Sequence, residues 1–148
     1  MLSNVMAELF ARDLNRVKQE IALYSDEALL WSLKGDISNS PGNLCLHIIG
    51  NLNHFIGAVL GGSDYVRHRD REFNDKNVPR FEMLTAVDAT ILMVNNVLKK
   101  LTAEQLEQDY PIELFGKPMT TSWFLIHLHS HLNYHLGQIN YHRRLIQA

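Results

Sequence analysis

The chain has 148 residues, a hydrophobic fraction of 46% and a formal charge of −2, values expected of one globular domain with a buried core. The charge excludes a nucleic-acid-binding protein, because no stripe of lysine and arginine is available to neutralise phosphates. The single cysteine, Cys45, excludes an intrachain disulfide and the paired-cysteine motifs of zinc ribbons and redox proteins. We therefore expect one cytoplasmic domain, residues 1–148, without a signal peptide or a membrane partner.

The first predicted helix spans residues 3–24, where apolar side chains recur at steps of three and four. Ser3 is its predicted N-cap. A short extra helical turn is predicted within residues 25–33. Residues 34–43 are rich in turn formers and predict a loop, and the second helix should begin at the end of this loop, near Pro41.

The second helix, residues 44–60, is apolar on most of its sides. Gly50 and Gly57 lie along one flank, where a neighbouring element can approach closely. A row of polar side chains at spacings of four and three consists of His47, Asn51 and His54. Periodicity places this row away from the centre of the apolar arc, so on pattern alone it is interpreted as a boundary or exposed face.

Residues 64–78 form a charged connection with a weak helical signal, and its alternating Arg67 to Glu72 stretch is interpreted as a solvated loop. The third helix is predicted after Pro79, because leucine, valine and isoleucine repeat there at steps of three and four up to Leu101. Thr102 is the predicted cap of one further turn. Residues 109–121 contain turn formers and β-formers, which predict a small hairpin or an ordered loop.

The fourth helix, residues 123–146, carries five of the eight histidines. At about 100° per residue, its leucines and isoleucines form one apolar stripe. His135 lies inside this stripe, His131 and His142 lie at its edge, His127 lies further out, and His129 lies on another flank. Four amphipathic helices in a chain of this length predict an all-α four-helix bundle, whose connectivity the pattern leaves open.

The spacing of His131 and His135, four residues apart on a core-facing stripe, matches two imidazoles that converge on one metal ion. Taken alone this spacing is weak, since core histidines bonded to the backbone or to water satisfy it equally well. A metal site also needs a third ligand from elsewhere in the chain.

The loop motif NSPGN, the helix opening LCLHIIGNLNHFI and the final motif HLNYHLGQINYHRR together resemble the DinB/YfiT-like superfamily. The resemblance covers nearly the whole chain. It implies a four-helix bundle that holds a divalent metal through His47, His131 and His135, and so turns His47 inward. The remaining candidates then support the metal ligands or line the pocket, and they are Asn51, His54, His127, Tyr134 and His142.

Three neutral histidines leave a divalent ion with open coordination positions, as in catalytic sites, and they suit zinc and nickel equally. The resemblance implies an enzyme that activates a low-molecular-weight thiol, which is an S-transferase. A hydrolase is the less favoured enzyme class. The alternative is a non-catalytic metal-binding or assembly module. Cys45 lies about 160° from His47 around the helix, so we interpret it as a small core residue and not as a nucleophile.

A second aromatic strip on the fourth helix consists of Trp123, Tyr134 and Tyr141. Aromatic side chains are enriched in interfaces, so we expect a homodimer that uses this strip. Lining of the monomer core is the alternative for the same residues.

Overall fold

The computed structural model describes residues 1–147. Helices make up 71% of the chain. The described residues contain no β-strand, which confirms the all-α class. Six α-helices follow one another: α1 (Leu2–Leu23), α2 (Pro41–Leu52), α3 (Arg69–Asn74), α4 (Arg80–Lys100), α5 (Ala103–Glu107) and α6 (Thr121–Ile146). A 3₁₀ turn, Glu27–Trp31, follows α1, and a π-helical segment, Asn53–Leu60, continues α2.

Local capping explains where most of these helices begin. The hydroxyl of Ser40 accepts a hydrogen bond from the backbone N–H of Asn43 at the start of α2, and Pro41 occupies the first helical position, which needs no N–H donor. Thr102 and Gln105 form a reciprocal capping box on α5. The N-cap of α1 is Met1 and not Ser3 as predicted, because Ser3 lies buried inside the first turn.

Helices α1, α2, α4 and α6 form the bundle, with α1 and α2 at opposite corners and α4 and α6 each packed between them. Helices α1 and α6 run parallel, because Asp13 contacts His129 and, further along, Tyr24 contacts His142. Helix α4 starts where α1 ends, since Arg80 donates to the carbonyl of Tyr24 at 2.6 Å, so these two helices are antiparallel.

Helix α2 is antiparallel to α6, because His47 near its start contacts His131 while Phe55 near its end contacts Phe124. It follows that α2 and α4 run in the same direction and that the bundle is up-down-down-up. Two parallel helices need a connection that returns along their length. The crossover, residues 61–79, makes this return and contains α3, a short helix that was not predicted in the charged connection.

The hydrophobic core fills the space between the four long helices, and its largest fully buried members include Phe10, Tyr24, Leu52, Leu98 and Phe124. Cys45 is also fully buried, as predicted, and burial raises the pKa of its thiol to about 12. A thiol in this state is inert at neutral pH.

Residues 109–121 form an ordered loop, closed by one antiparallel bridge between Asp109 and Thr120. The hairpin-or-loop prediction is therefore resolved as a loop. Two segments, Pro41–Leu60 and Arg80–Lys100, are long and apolar enough to cross a membrane by length and composition alone. Both pack into the bundle, as core helices of soluble proteins do.

Candidate metal centre

Three imidazoles meet between α2 and α6. The Nε2 atom of His131 lies 3.2 Å from Nε2 of His47 and 3.1 Å from Nε2 of His135. Ligand atoms of all three residues lie within 4.8 Å of one another. The antiparallel packing of α2 against α6 brings His47 to the pair, and the one-turn spacing on α6 aligns His131 with His135.

Hydrogen bonds at the far side of two rings orient these nitrogens. Nδ1 of His47 lies 2.9 Å from Oε1 of Glu72, and Nδ1 of His135 lies 2.7 Å from the side-chain oxygen Oε1 of Gln138. Since a carboxylate and an amide oxygen only accept, both Nδ1 atoms carry the proton. The unprotonated Nε2 lone pairs of His47 and His135 therefore point at the centre of the cluster, the arrangement that metal-ligating histidines usually have.

This donor set fits a divalent ion better than a set of hydrogen bonds. A ring nitrogen offers one in-plane site, so Nε2 of His131 can form a full hydrogen bond with only one of its two neighbours. Two imidazole nitrogens bound tetrahedrally to zinc at about 2.0–2.1 Å lie about 3.3 Å apart, close to both contacts of His131. The three histidines are therefore able to hold one divalent ion.

The electrostatic surroundings favour the neutral form of His131 and His135. Burial and, to a smaller extent, the nearby imidazoles of His135 and His47 together lower the pKa of His131 to about 4. Burial also lowers the pKa of His135, although its hydrogen bond with Gln138 opposes this change. Ligation requires neutral imidazole, so at pH 7 these two rings need lose no proton before they bind a metal.

Glu72 is a buried carboxylate held by two partners. Arg67 donates to both of its oxygens at 2.9 Å, and the third hydrogen bond comes from His47. Burial alone would raise the pKa of Glu72, but the hydrogen bonds from His47 and Arg67 hold it below its usual value. Glu72 is therefore ionised at pH 7, which increases the basicity of His47 as a ligand.

The crossover carries this pair to the cluster, and α2 leaves room for it. A Cβ atom at Gly50 would overlap the carboxylate of Glu72, so only glycine permits this approach. The close approach predicted along the Gly50 flank is thus present. The interpretation of the Arg67 to Glu72 stretch as a solvated loop is wrong for both of these residues, whose side chains are only 12% and 7% exposed.

Two clefts flank the cluster. The larger cleft, about 620 Å³, is bordered by His135 and also by Tyr134, Tyr141 and His142. The smaller cleft, about 260 Å³, is bordered by His47 and His131. The cluster therefore separates two spaces that are open to small molecules.

The polar row of α2 does not form an exposed face. His47 and Asn51 are 5% and 7% exposed, so the interpretation from periodicity is wrong for these two residues. The resemblance placed His47 correctly inward. Asn51 borders the smaller cleft, whereas His54 packs its ring on Phe55 and borders neither cleft.

The remaining candidates lie in the cleft walls. His127 borders the smaller cleft and stacks on Trp123 at 5.5 Å between ring centroids. Tyr134 is exposed at the larger cleft, with its ring centroid 5.4 Å from that of His135. His142 is buried in the wall of the larger cleft, where Tyr24 hydrogen-bonds it at 2.8 Å, so it does not contact the cluster.

His129, which was predicted on another flank, hydrogen-bonds the buried carboxylate of Asp13 at 2.7 Å. Sequence reasoning missed Glu72, Arg67 and the role of Gln138. The GQ dipeptide after His135 was visible as part of the resemblance, but nothing in the local pattern assigned Gln138 to the ring of His135.

The fold and the cluster together define a helical bundle with three histidines that are able to hold a divalent metal. The sequence model of DUF1572, a family described as proteins of unknown function, matches residues 2–148. The chain belongs to this family. No curated protein matches it.

Two of the solved structures that resemble this chain match nearly all of it. A conserved protein from Enterococcus faecalis is 19% identical with a TM-score of 0.80, and the match covers 98% of this chain and 96% of that one. A DinB-like protein from Bacillus cereus is 20% identical with a TM-score of 0.68, over 91% of this chain and 86% of that one. The expected DinB/YfiT-like fold is thereby confirmed.

Proposed function

We propose that this protein is a divalent-metal-dependent enzyme that transfers a low-molecular-weight thiol to an electrophilic small molecule. The observation that carries the proposal is the convergence of three imidazole nitrogens between two separate clefts. Two spaces on either side of one centre suit a reaction with two substrates. Zinc and nickel both suit the three histidines His47, His131 and His135.

A divalent ion with three imidazole ligands keeps open coordination positions and favours the deprotonated form of a thiol that binds to it. The protein's own residues prepare the site for this step. Glu72 and Gln138 hold the Nδ1 protons of His47 and His135, which fixes both Nε2 lone pairs toward the ion. The ordered rings need no rearrangement at the moment of reaction.

Transfer is favoured over hydrolysis by the lining of the smaller cleft. A thiol that a bound metal would deprotonate needs no further base, whereas hydrolysis gains from a general base that positions and deprotonates water. Among the described residues that border the smaller cleft there is no carboxylate. Glu72 is engaged by Arg67 and His47 and borders neither cleft.

The metal assignment is tested by elemental analysis of protein purified without an affinity tag and without added metal. We expect one equivalent of zinc or nickel, which His131→Ala should lose. His129→Ala is the matched control, since it removes an imidazole from the same helix that contacts Asp13 and not the cluster. A full equivalent of metal in the His131→Ala protein would refute the site.

Activity is tested separately with the metal-loaded protein, cysteine or coenzyme A as the thiol, and 1-chloro-2,4-dinitrobenzene as the electrophile. The S–H bond of the thiol should be lost with its proton passing to solvent, and a carbon–sulfur bond should form while chloride leaves with its bonding electrons. Free thiol should disappear at a rate that His131→Ala reduces to the uncatalysed value. A protein that binds metal but leaves every tested thiol and electrophile unchanged would favour the non-catalytic module.

A further inference from the structure

The smaller cleft beside the metal centre has a one-sided polar lining. Its polar side chains are guanidinium, imidazole or amide groups, and they are His47, Asn51, Arg67, Arg69, His127 and His131. Among the described residues that border it, none is a carboxylate. The remaining wall is apolar and includes Phe55, Leu114 and Phe115.

Arg67 has one nitrogen left for a ligand. Its Nε and Nη2 atoms both donate to Glu72, and this two-point pairing fixes the plane of the guanidinium. Nη1 has no hydrogen-bond partner among residues 1–147. Since every fully buried side-chain nitrogen and oxygen in that part of the chain has a partner, Nη1 is open to the cleft that Arg67 borders.

Asn51 gives a second, independent observation. This side chain belongs to a residue only 7% exposed, and it forms no hydrogen bond with any described residue. Because no fully buried amide atom is left without a partner in the described chain, the Asn51 amide also opens into the cleft. An amide so nearly buried and yet unpaired is suited to a bound ligand.

The charges around the cleft favour an anion over a neutral acceptor. Glu72 balances Arg67, but Arg69 at the rim has no ion-pair partner among the described residues and only stacks on Phe73, 5.2 Å away. The unbalanced charge on this side of the cluster is therefore positive. A guanidinium nitrogen and an amide that converge on one space are typical donors to a carboxylate.

We propose that the smaller cleft binds the carboxylate group of a small, partly apolar substrate, which Arg67 and Asn51 hold while Phe55 and Phe115 contact its apolar part. This substrate assignment rests on the proposed function, because it names one of the two reactants. A volume of about 260 Å³ lies below the roughly 300–1,000 Å³ of drug-sized sites, so the acid is small.

The test uses protein freed of metal by a chelator, so that its result does not depend on metal binding or on thiol transfer. Benzoate is titrated against the protein and followed by chemical shifts of the Asn51 and arginine side chains. Benzamide has nearly the same shape but no charge, and benzylamine carries the opposite charge. Benzoate should bind at least tenfold more tightly than benzamide, and benzylamine should not bind. Equal affinity for benzoate and benzamide would overturn the proposal.

Two variants locate the site. Asn51→Asp places a carboxylate in the cleft and should weaken benzoate binding at least tenfold, and unchanged binding in a folded Asn51→Asp protein would overturn the proposal. If that variant fails to fold, Arg69→Glu on the exposed rim carries the test, with a several-fold loss expected. Arg71→Glu makes the same charge change on the same helix, but Arg71 borders no part of this cleft and pairs with Asp75, so it should bind benzoate normally. Equal losses in both arginine variants would refute a local site.

Discussion

Gly50 gives the sharpest test of how the crossover supports the metal centre. Replacing a glycine inside a helix by alanine usually stabilises a protein by about 0.5–1 kcal/mol, because alanine loses less conformational freedom on folding. At Gly50 a new Cβ atom would overlap the buried carboxylate of Glu72, which three hydrogen bonds hold in place. Gly50→Ala should therefore destabilise the protein instead.

The size of the effect follows from two opposing contributions. Overpacking a well-filled site costs about 1–3 kcal/mol, which exceeds the gain of about 0.5–1 kcal/mol from helix propensity. We therefore expect a net loss of about 1–2 kcal/mol in the free energy of unfolding. Displacement of Glu72 should also weaken metal binding by about 10- to 100-fold, as is typical when the partner of a ligating histidine is lost.

Gly137 is the matched control because it lies inside α6, two residues after His135, with no atom near the position of its missing Cβ. Gly137→Ala should gain about 0.5–1 kcal/mol and should bind metal normally. Urea unfolding of metal-free protein measures the stabilities, and competition with a chromogenic chelator measures zinc affinity. A Gly50→Ala protein that is more stable than wild type and equally tight for zinc would show that the carboxylate is not held against Gly50.

Three further predictions concern other parts of the fold. The hydrogen bonds that offset its burial lower the pKa of Asp13 to about 2. Because the unfolded value is higher, about 3.9, protonation favours unfolding, and the contribution of Asp13 to stability should disappear as the pH falls from about 4 to about 2. Urea titrations across this range should find that loss smaller in Asp13→Asn, and equal slopes would contradict the assignment. Tyr24→Phe leaves Nδ1 of buried His142 without its donor and should destabilise the protein by about 1–3 kcal/mol. Its zinc affinity should not change, and a tenfold loss would place His142 at the metal. Tyr134 and Tyr141 are 65% and 66% exposed, so they do not line the monomer core, and the homodimer stays a prediction. Light scattering should give a dimer that Tyr134→Glu with Tyr141→Glu dissociates, and a wild-type mass of 17.0 kDa at micromolar concentration would refute it.

The helices could be predicted because their signals are local. Pro79 precedes the start of α4, Thr102 caps α5 with Gln105, and Ser40 caps α2, all through contacts within four residues. The apolar stripe of α6 is equally local, and it placed Leu128 and Leu132 correctly in the core. Such signals depend on the period of the helix and not on which helix lies beside it.

The orientation of α2 could not be predicted in this way. A helix that is apolar on most sides has no single apolar stripe, so its periodicity gives no reason to place His47 toward the core. Only the resemblance supplied that reason, through a motif that joins His47 to the pair on α6. Asn51, one turn after His47, was misplaced for the same cause.

Glu72 was missed because its position depends on topology. The sequence of the crossover alternates acidic and basic residues, as a solvated loop does. Glu72 becomes buried only because α2 and α4 run parallel and the chain must return past His47. The only indication in the sequence was Gly50, which predicted that a neighbouring element approaches α2 closely but not which residue does so. An inference from spacing along one helix cannot supply a partner that comes from a long connection.

The same connection is fixed to the helix that carries the ligand. Asn43 on α2 donates from its amide nitrogen to the carbonyls of Glu72 and Asp75, both at 2.9 Å, and lies one turn before His47. Helix α2 therefore carries His47 and, through Asn43, also holds the backbone of Glu72, whose carboxylate orients the ring of His47. A shift of α6 relative to α2 would change the distance from His47 to His131 but not the proton on Nδ1 of His47. The tautomer that ligation requires is set within one half of the site, before α6 completes it.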